Sequence, residues 1–427
     1  MSEPVVQTGR KIPPKTWLGF LAALGPGLFI AAFHLGPGDV ATHAVIGSLH
    51  GLEIVWALVV GVVLLGFLTE MVGRYVAVTG NSIFDGFRSI GSWASTFMFI
   101  GMLGIWATFG SATSLAAGLG WQAVFPFPGV DFLIGVRIWG TIMLFVCFLL
   151  VFFNKYLMLE NIIKVLVVFM TLSFLITAVI VGFDWRSIFS GLTPPFMPQG
   201  AAWLVVAQIA VVVGGVTSIM YGYASYAKGW THSGWIKPIR FDITFSYILL
   251  FIIDLCIMMA AFKVLMPAGV EPRTGIDLAF MLEPLFGKYA LYIFSLGLWG
   301  AATTTLFGAF LGSYGFLDFL NPKEYHKGED EFRKSGYFKS LLVMVLVLCG
   351  MFLWVYLGPP IWMMMILYIT GAVWMPVMAI VLVILTNSRK VMGDYANAPW
   401  MRYVVCPILI ALSFISAYTG IKEVFFS

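Results

Sequence analysis

The strongest chemical signal in the sequence is Asp39, which follows Gly36-Pro37-Gly38 inside a long apolar stretch. A carboxylate in apolar surroundings is costly unless it is paired or bound to a cation. His43 comes four residues later, so it shares a face with Asp39 if the segment is helical. The pair predicts a cation site, in which His43 is a ligand, orients a ligand, or is an interior polar group. The alternative for Asp39 is a helix cap, a position that Asp suits well.

A second interruption, Gly214-Gly215-Val216-Thr217-Ser218, breaks another apolar stretch and is followed by Met220 and Tyr221. Hydroxyl and carbonyl oxygens are hard ligands that suit magnesium, calcium or manganese. Met220 would favour a transition metal, although a lone Met in an apolar helix more often fills space. The expected ligands are therefore Thr217, Ser218 and Met220 with the freed carbonyl of Gly36, and Tyr221 lies beside them.

Asp254 also lies in an apolar stretch, without a charged neighbour in the sequence. A lone carboxylate in such a place is a functional candidate by default, and we rank it second to Asp39. Tyr368 is a further candidate for binding the ion or for orienting a ligand. Two charged pairs with i,i+4 spacing supply their own partners and are interpreted as structural: Glu70–Arg74 and Glu160–Lys164.

The composition indicates which elements must position these residues. Of the 427 residues, 60% are hydrophobic and 10% are charged, and the mean hydropathy is +0.96. A soluble domain carries about 25% charged residues, so a soluble enzyme, a disordered chain and a nucleic-acid binder are excluded. The four cysteines form no CxxC motif, which argues against a disulfide framework or a zinc site. Without a phosphate-binding loop, ATP-driven transport by this chain is not expected.

Apolar stretches separated by charges and Gly/Pro clusters predict eleven transmembrane helices in an all-α membrane protein. They are Trp17–His50, Leu52–Val78, Trp93–Leu119, Ile134–Phe153, Leu157–Val181, Trp203–Ala227, Phe241–Met266, Tyr289–Phe319, Ser340–Tyr356, Ile361–Thr386 and Tyr403–Gly420. Most of the 24 Lys and Arg residues fall on the side of the N-terminus, which predicts a cytoplasmic tail over residues 1–16. The chain, 1–427, is expected to be a single transmembrane domain in the cell membrane.

The first and the sixth stretches are the interrupted ones. Interrupted segments at corresponding positions in two halves are typical of inverted-repeat transporters. Stretches 1–5 and 6–10 would then be the two repeats, with the eleventh appended. Backbone groups freed by a broken helix are tolerated at membrane depth only where they line a cavity or bind a ligand.

Several segments, taken in order, resemble the Nramp family of divalent-metal transporters. The run GPGLFIAAFHLGPGDVATHAVIGS (Gly25–Ser48) is similar to the family's first span with its Asp-Pro-Gly-Asn break. Four more segments fit the same family: TGNSIFDGFR, YLMLENIIKVLVVFMTLSFLITAVI, DWRSIFSGL and LGLWGAATTTLFGAFLGSYGFLDFL. The resemblance covers nearly the whole chain and implies the LeuT-type fold, with an ion site between the breaks of spans 1 and 6.

The chain departs from the family pattern at functional positions. The family's metal-binding Asp and its Asn correspond to Gly36 and Asp39, so the carboxylate has moved by three residues. The Met-Pro-His of span 6 has no counterpart, which leaves a hydroxyl in place of the thioether ligand. The two acids of span 3 in proton-coupled members correspond to Phe109 and Ala112. The resemblance thus implies a divergent member, similar to the branch that has lost parts of the transition-metal site.

We expect a secondary transporter of divalent cations, with Mg²⁺ or Mn²⁺ favoured and with weak or no proton coupling. The cation is the substrate and the lipid bilayer surrounds the protein. No cofactor, nucleic acid or obligate protein partner is expected. Two other functions remain open. One is a carrier of organic solutes such as amino acids on the same fold, in which Asp39 binds an ammonium group; the other is a non-transporting receptor that keeps the fold.

Overall fold

A computed structural model of the protein is built from helices, and the described residues contain no strand. The structure describes residues 12–153, 156–193, 197–213, 217–272, 275–355 and 360–426. Side chains are described throughout these ranges except at 156–167, 210–213, 275–276, 360–370, 372, 420 and 423–426.

The α-helices are numbered in chain order. They are α1 Trp17–Ala23, α2 Pro26–His34, α3 Pro37–His50, α4 Val55–Thr79, α5 Ile83–Ile90, α6 Ser92–Val124, α7 Phe132–Phe152, α8 Tyr156–Val181, α9 Trp185–Gly191, α10 Ala202–Val213, α11 Thr217–Ala227, α12 Ile236–Val264, α13 Gly275–Ala279, α14 Glu283–Phe286, α15 Ala290–Leu311, α16 Ser313–Leu320, α17 Pro322–Tyr325, α18 Glu329–Phe332, α19 Gly336–Val355, α20 Pro360–Asn387, α21 Arg389–Met392 and α22 Cys406–Phe426. A π-helical segment, Met401–Val405, leads into α22.

Long apolar helices account for the predicted membrane spans. Among the described residues, 7 helical segments are long and apolar enough to cross a membrane, or up to 10 if each bent pair is one span. Each predicted apolar stretch coincides with a helix or with consecutive helices. The number of eleven spans stays a prediction.

The first apolar stretch is interrupted where the sequence indicates. The break Leu35–Gly36 separates α2 from α3, and Pro37 begins α3. Proline suits this position because it has no amide hydrogen to satisfy and its φ angle is already helical. The stretch also bends by 52° between α1 and α2, which the sequence did not indicate. Pro26 begins the second of these helices in the same way.

The sixth apolar stretch is divided between α10 and α11. Part of its predicted interruption, Gly214-Gly215-Val216, lies outside the described residues. Thr217 and Ser218 form the first turn of α11, so the hydroxyls proposed as ligands lie at the start of a helix, as Asp39 does.

The structural pairs are confirmed where their side chains are described. Arg74 Nε lies 3.1 Å from both carboxylate oxygens of Glu70, and Arg240 Nε donates to Glu70 Oε1 at 2.9 Å. The side chains of Glu160 and Lys164 lie outside the described residues. All four cysteines are free and buried, in agreement with the expectation from their spacing.

Glycines let neighbouring helices approach closely, as is common in membranes, where small residues form helix interfaces. A Cβ added at Gly118 on α6 would overlap the carbonyl oxygen of Val136 on α7. On the facing helix, a Cβ at Gly140 would lie 2.6 Å from the carbonyl oxygen of Ser114. Because both obstacles are backbone atoms, the two helices must separate if either glycine gains a side chain.

We expect Gly118→Ala to destabilise the protein by about 1–3 kcal/mol, the usual cost of overpacking. Gly104→Ala is the matched control on the same helix, because a Cβ there meets nothing within 4 Å. Thermal unfolding of the purified variants in one detergent measures the difference. Equal melting temperatures for the two variants would contradict the close approach of α6 and α7.

Candidate metal centre

Asp39 lies in the first turn of α3, where the chain re-enters a helix after the break. Gly36 precedes the helix, and no side chain caps its first amides. Both carboxylate oxygens of Asp39 lack a hydrogen-bond partner among the described residues. The helix-cap alternative for Asp39 is therefore wrong, although its charge still gains from the positive end of the helix dipole.

Helix α12 packs along α3 and brings a second carboxylate to the same place. Gly47, about two turns beyond Asp39, makes this approach possible. A Cβ at Gly47 would lie 2.5 Å from the carbonyl oxygen of Met258 and 2.7 Å from Ala261 Cβ. Asp254 lies one turn before Met258 on α12 and is fully buried.

Asp39, His43 and Asp254 form one buried cluster. His43 Nδ1 lies 3.4 Å from Asp39 Oδ1 and 4.0 Å from Asp254 Oδ1. One ligand atom from each of the three residues lies within 4.8 Å of the other two. None of the three side chains is more than 1% exposed. The structure therefore joins the two carboxylates that the sequence ranked first and second, with the histidine close to both.

The hydrogen bonds of this cluster leave most of its ligand atoms available. His43 Nδ1 donates to the main-chain oxygen of Asp39 at 2.9 Å, since a carbonyl oxygen can only accept. The carboxylate oxygens of Asp39 and Asp254, and His43 Nε2, make no hydrogen bond to the described residues. Two carboxylates buried this closely have lost their hydration and repel each other when both are charged, so a bound cation or a proton must compensate them.

The hydroxyls predicted from the sixth stretch make their hydrogen bonds elsewhere. Thr217 Oγ1 and His34 Nε2 are 2.8 Å apart and join the start of α11 to the end of α2. Ser218 Oγ lies 3.0 Å from Thr69 Oγ1 on α4. Within the part of the chain that the structure describes, no hydrogen bond joins Thr217 or Ser218 to the Asp39–His43–Asp254 cluster.

The remaining predicted site residues are distributed as follows. Met220 and Tyr221 are buried on α11, and the Tyr221 hydroxyl donates to Asp242 Oδ2 at 3.1 Å. The carbonyl oxygen of Gly36 accepts from the Val40 amide at 3.2 Å, inside the first turn of α3. The side chain of Tyr368 lies outside the described residues.

Gln208 on α10 was not among the predicted residues. Its Nε2 donates to Met258 Sδ at 3.3 Å, one turn along α12 from Asp254. Its Oε1 is buried without a hydrogen-bond partner among the described residues. An amide inside an otherwise apolar run is the sequence signal for it.

In span 3, apolar side chains occupy the two positions that are acids in proton-coupled members of the family. Phe109 and Ala112 are buried on α6. Phe109 stacks on Phe33 with ring centroids 4.9 Å apart, and Trp106 meets Phe109 edge-on at 5.6 Å. These rings join the end of α2 to α6 through an apolar contact.

A second group of acids and a histidine lies at α5, and an arginine already neutralises it. Arg88 Nη2 donates to Asp85 Oδ1 at 2.6 Å and to Asp318 Oδ1 at 2.8 Å. His326 Nε2 lies 3.2 Å from Asp85 Oδ2. Because the guanidinium lies between the two carboxylates, this group needs no metal ion and we assign none to it.

The ion pair between His326 and Asp85 shifts both pKa values. The hydrogen bond to Asp85 raises the pKa of His326 above its ordinary value, and partial burial opposes this only in part. Partial burial alone would raise the pKa of Asp85, but hydrogen bonds from His326 and Arg88 outweigh it and lower the pKa of this carboxyl.

Comparisons with known proteins identify the family of the chain. A family model described as natural resistance-associated macrophage protein-like, Nramp, matches residues 27–422. The chain belongs to the Nramp family. Its members are membrane transporters of divalent metal cations and not enzymes, so the chain is a multi-pass membrane transporter that takes the metal as substrate and needs no cofactor.

Curated relatives of the chain carry the name divalent metal cation transporter MntH. The one from Klebsiella pneumoniae is 23% identical over 408 residues, which cover 92% of this chain and 93% of the relative. The one from Listeria innocua is 25% identical over 422 residues, which cover 93% of this chain and 89% of the relative.

Solved structures show the fold. The manganese transporter of Eremococcus coleocola, in complex with an aromatic bis-isothiourea compound, matches with a TM-score of 0.71 at 16% identity, over 100% of this chain and 91% of the other. MhsT in complex with L-phenylalanine matches with a TM-score of 0.60 at 13% identity, over 92% of this chain and 98% of the other. The LeuT-type fold is therefore confirmed for the Nramp chain.

The His326–Asp85 pair predicts a pH-dependent contribution to stability. Because the pKa of His326 is raised in the folded protein, the contribution is complete below the unfolded value of about 6.5. It disappears as the pH rises through the higher folded value. We expect His326→Gln to lose about 0.5 kcal/mol at pH 6, discounted for solvent exposure, and nothing at pH 9.

Melting temperatures of wild type and His326→Gln across this pH range measure the effect. His50→Gln is the control, since His50 forms no ion pair with a described residue. A constant difference between wild type and His326→Gln at all pH values would show that the pair is not charged as described.

Proposed function

We propose that Asp39, His43 and Asp254 bind the divalent cation that this transporter carries. The observation that supports the proposal is the set of fully buried carboxylate oxygens without hydrogen-bond partners, grouped within 4.8 Å around an imidazole. Ligands held at about 2.1 Å from one divalent ion lie about 3–4 Å from each other. The distances of 3.4 Å and 4.0 Å from His43 Nδ1 to the two carboxylates fall in that range.

Each residue has its own part in this proposal. Asp39 and Asp254 supply two negative charges, which a divalent cation neutralises completely. His43 supplies a nitrogen, and binding through Nδ1 replaces its present hydrogen bond to the Asp39 carbonyl. Gln208 Oε1 has no hydrogen-bond partner among the described residues, and its amide contacts Met258 one turn from Asp254, so it is a candidate for a further oxygen ligand.

The donor types favour Mn²⁺ and then Mg²⁺. Carboxylate oxygens suit both ions, whereas imidazole suits the transition metals. Met220 has a thioether, but the cluster is built on α3 and α12 and Met220 is on α11. Mg²⁺ keeps several waters when bound, so it would use Asp39 and Asp254 and leave His43 in its present hydrogen bond.

Transport in this proposal is driven by the ion gradient and the membrane potential. A divalent ion gains roughly 4.6 kcal/mol in crossing 100 mV, twice the value for one charge. Proton relays in membranes use Asp, Glu and His, and the two family positions of span 3 hold Phe109 and Ala112. The ring stack of Phe109 on Phe33 supports the absence of a relay along that side.

The proposal places the N-terminal tail in the cytoplasm and the protein in the cell membrane. The bias of Lys and Arg toward that side supports the orientation. The organic-solute and receptor alternatives predict, respectively, uptake that survives chelation of metals and no flux at all.

We expect Asp39→Asn and Asp254→Asn each to weaken Mn²⁺ binding by more than about 100-fold. Mutation of a residue that only orients a metal ligand already lowers metal affinity by about 10- to 100-fold. Titration calorimetry on the purified protein measures it. Asp330→Asn, an exposed acid on α18, is the control and should bind as wild type does. Because both site variants remove repulsion between buried carboxylates, their metal-free melting temperatures should equal or exceed that of wild type.

Unchanged Mn²⁺ affinity in a folded Asp39→Asn variant would show that Asp39 does not bind the ion. Unchanged affinity in Asp254→Asn alone would leave Asp39 as the only charged ligand and would remove α12 from the site.

We expect metal uptake into proteoliposomes to proceed with little or no proton flow. A pH-sensitive dye inside the vesicles reports protons, and an inside-negative potassium diffusion potential drives Mn²⁺ or Mg²⁺ entry. Protein-free vesicles are the control. Metal-dependent acidification of the lumen, seen only with protein, would demonstrate a proton path and contradict the uncoupled mechanism.

A further inference from the structure

Away from the metal centre, a cavity of about 710 Å³ opens between α4, α12 and the segment 394–401. Its volume lies within the range of about 300–1,000 Å³ that is usual for small-molecule sites. Four of the residues on α4 that line the cavity recur every four positions, so they form one continuous face along it. These residues are Val62, Gly66, Glu70 and Arg74.

One end of the cavity is charged. Arg74 is 3% exposed, and its guanidinium binds Glu70, the Tyr395 carbonyl and Asn397, so it has little left for a ligand. Arg240 also binds Glu70, but its side chain is 59% exposed. Asp394 is exposed, and no described residue forms an ion pair with it. This end therefore offers one accessible cation and one accessible anion.

The other end is apolar and faces outward. Val63 is 48% exposed on α4 and Ile248 is 55% exposed on α12, so the two helices continue the cavity as an open groove. Trp400 is 58% exposed beside the charged end, and its ring lies 6.0 Å from that of Phe67. Tryptophan collects at the boundary between lipid headgroups and chains. The cavity thus has the polarity of one membrane leaflet, with its charges at the helix ends.

We propose that this cavity binds a phospholipid whose headgroup combines a phosphate with a primary ammonium, as in phosphatidylethanolamine. The phosphate lies against Arg240, the ammonium donates to Asp394, and an acyl chain follows the groove over Gly66 and Ile248. The side holding Arg74 and Arg240 is the one that the Lys and Arg distribution places in the cytoplasm, so the lipid belongs to that leaflet.

The charges of the cavity decide among the lipid classes. Glu70 and Asp394 balance Arg74 and Arg240, so the site has no net charge and gives an acidic lipid no advantage. A choline headgroup has no N–H group to donate, so it cannot hydrogen-bond to Asp394. An ethanolamine headgroup matches both accessible side chains.

Native mass spectrometry of the purified full chain tests the proposal. The protein is titrated with dioleoyl-phosphatidylethanolamine, dioleoyl-phosphatidylglycerol and dioleoyl-phosphatidylcholine. Wild type should retain the ethanolamine lipid about fivefold better than the other two, the ratio expected from one part-exposed ion pair. Asp394→Asn and Arg240→Gln should each abolish this preference.

Gly66→Leu tests the groove itself. Gly66 lines the cavity, and a Cβ there meets only Tyr247 Cδ2, at 3.9 Å, so a side chain at this position extends into the cavity and should reduce retention of every lipid. Arg389→Gln removes an exposed arginine outside the cavity and should change nothing. Equal retention of the three lipids by wild type, tighter binding of the glycerol lipid, or wild-type retention by Gly66→Leu would each overturn the proposal.

Discussion

Two carboxylates buried beside each other within the membrane are the constraint on which the rest of this structure depends. Asp39 and Asp254 are buried close together without a hydrogen-bond partner from other described residues, so the two carboxylates repel each other when both are charged. A bundle that only had to be stable would carry apolar residues there. In the proposed site, a bound cation compensates both charges, so binding energy for the substrate is stored in the fold.

The geometry of α3 and α12 sustains that constraint. Gly47 lets α12 approach until backbone and Cβ atoms touch, and this close contact fixes Asp254 opposite Asp39. The break Leu35–Gly36 places Asp39 in a first helical turn, where backbone dipoles favour its charge. His43, one turn later, faces both acids. A one-residue change of register in either helix would separate Asp254 from Asp39 and His43.

Much of this could be predicted from residues close together in the sequence. The break at Gly36, the shared face of Asp39 and His43 and the family resemblance all follow from local pattern. The partnership of Asp39 with Asp254 could not, because it depends on how two distant helices pack, and neither residue signals the other. The hydroxyls of Thr217 and Ser218 were predicted as ligands by their type, but hydrogen bonds to His34 and Thr69 are equally available to them, and only packing decides between these partners.

Helix α12 connects the two halves of the broken first span in two different ways. Asp242 accepts from the amides of Gly25 and Gly27 at 3.0 Å and 2.6 Å, which fixes the start of α2 by hydrogen bonds that need no ion. Asp254, about 18 Å further along the helix axis, faces α3 without such bonds. One half is therefore attached by hydrogen bonds, and in the proposed site the other half is attached through the substrate. Separating α3 from α12 costs much more free energy when the cation is bound to both acids than when no cation is bound. Occupancy of the proposed site therefore biases the relative position of the two halves. That differential is what a carrier requires for a ligand to shift its conformational equilibrium.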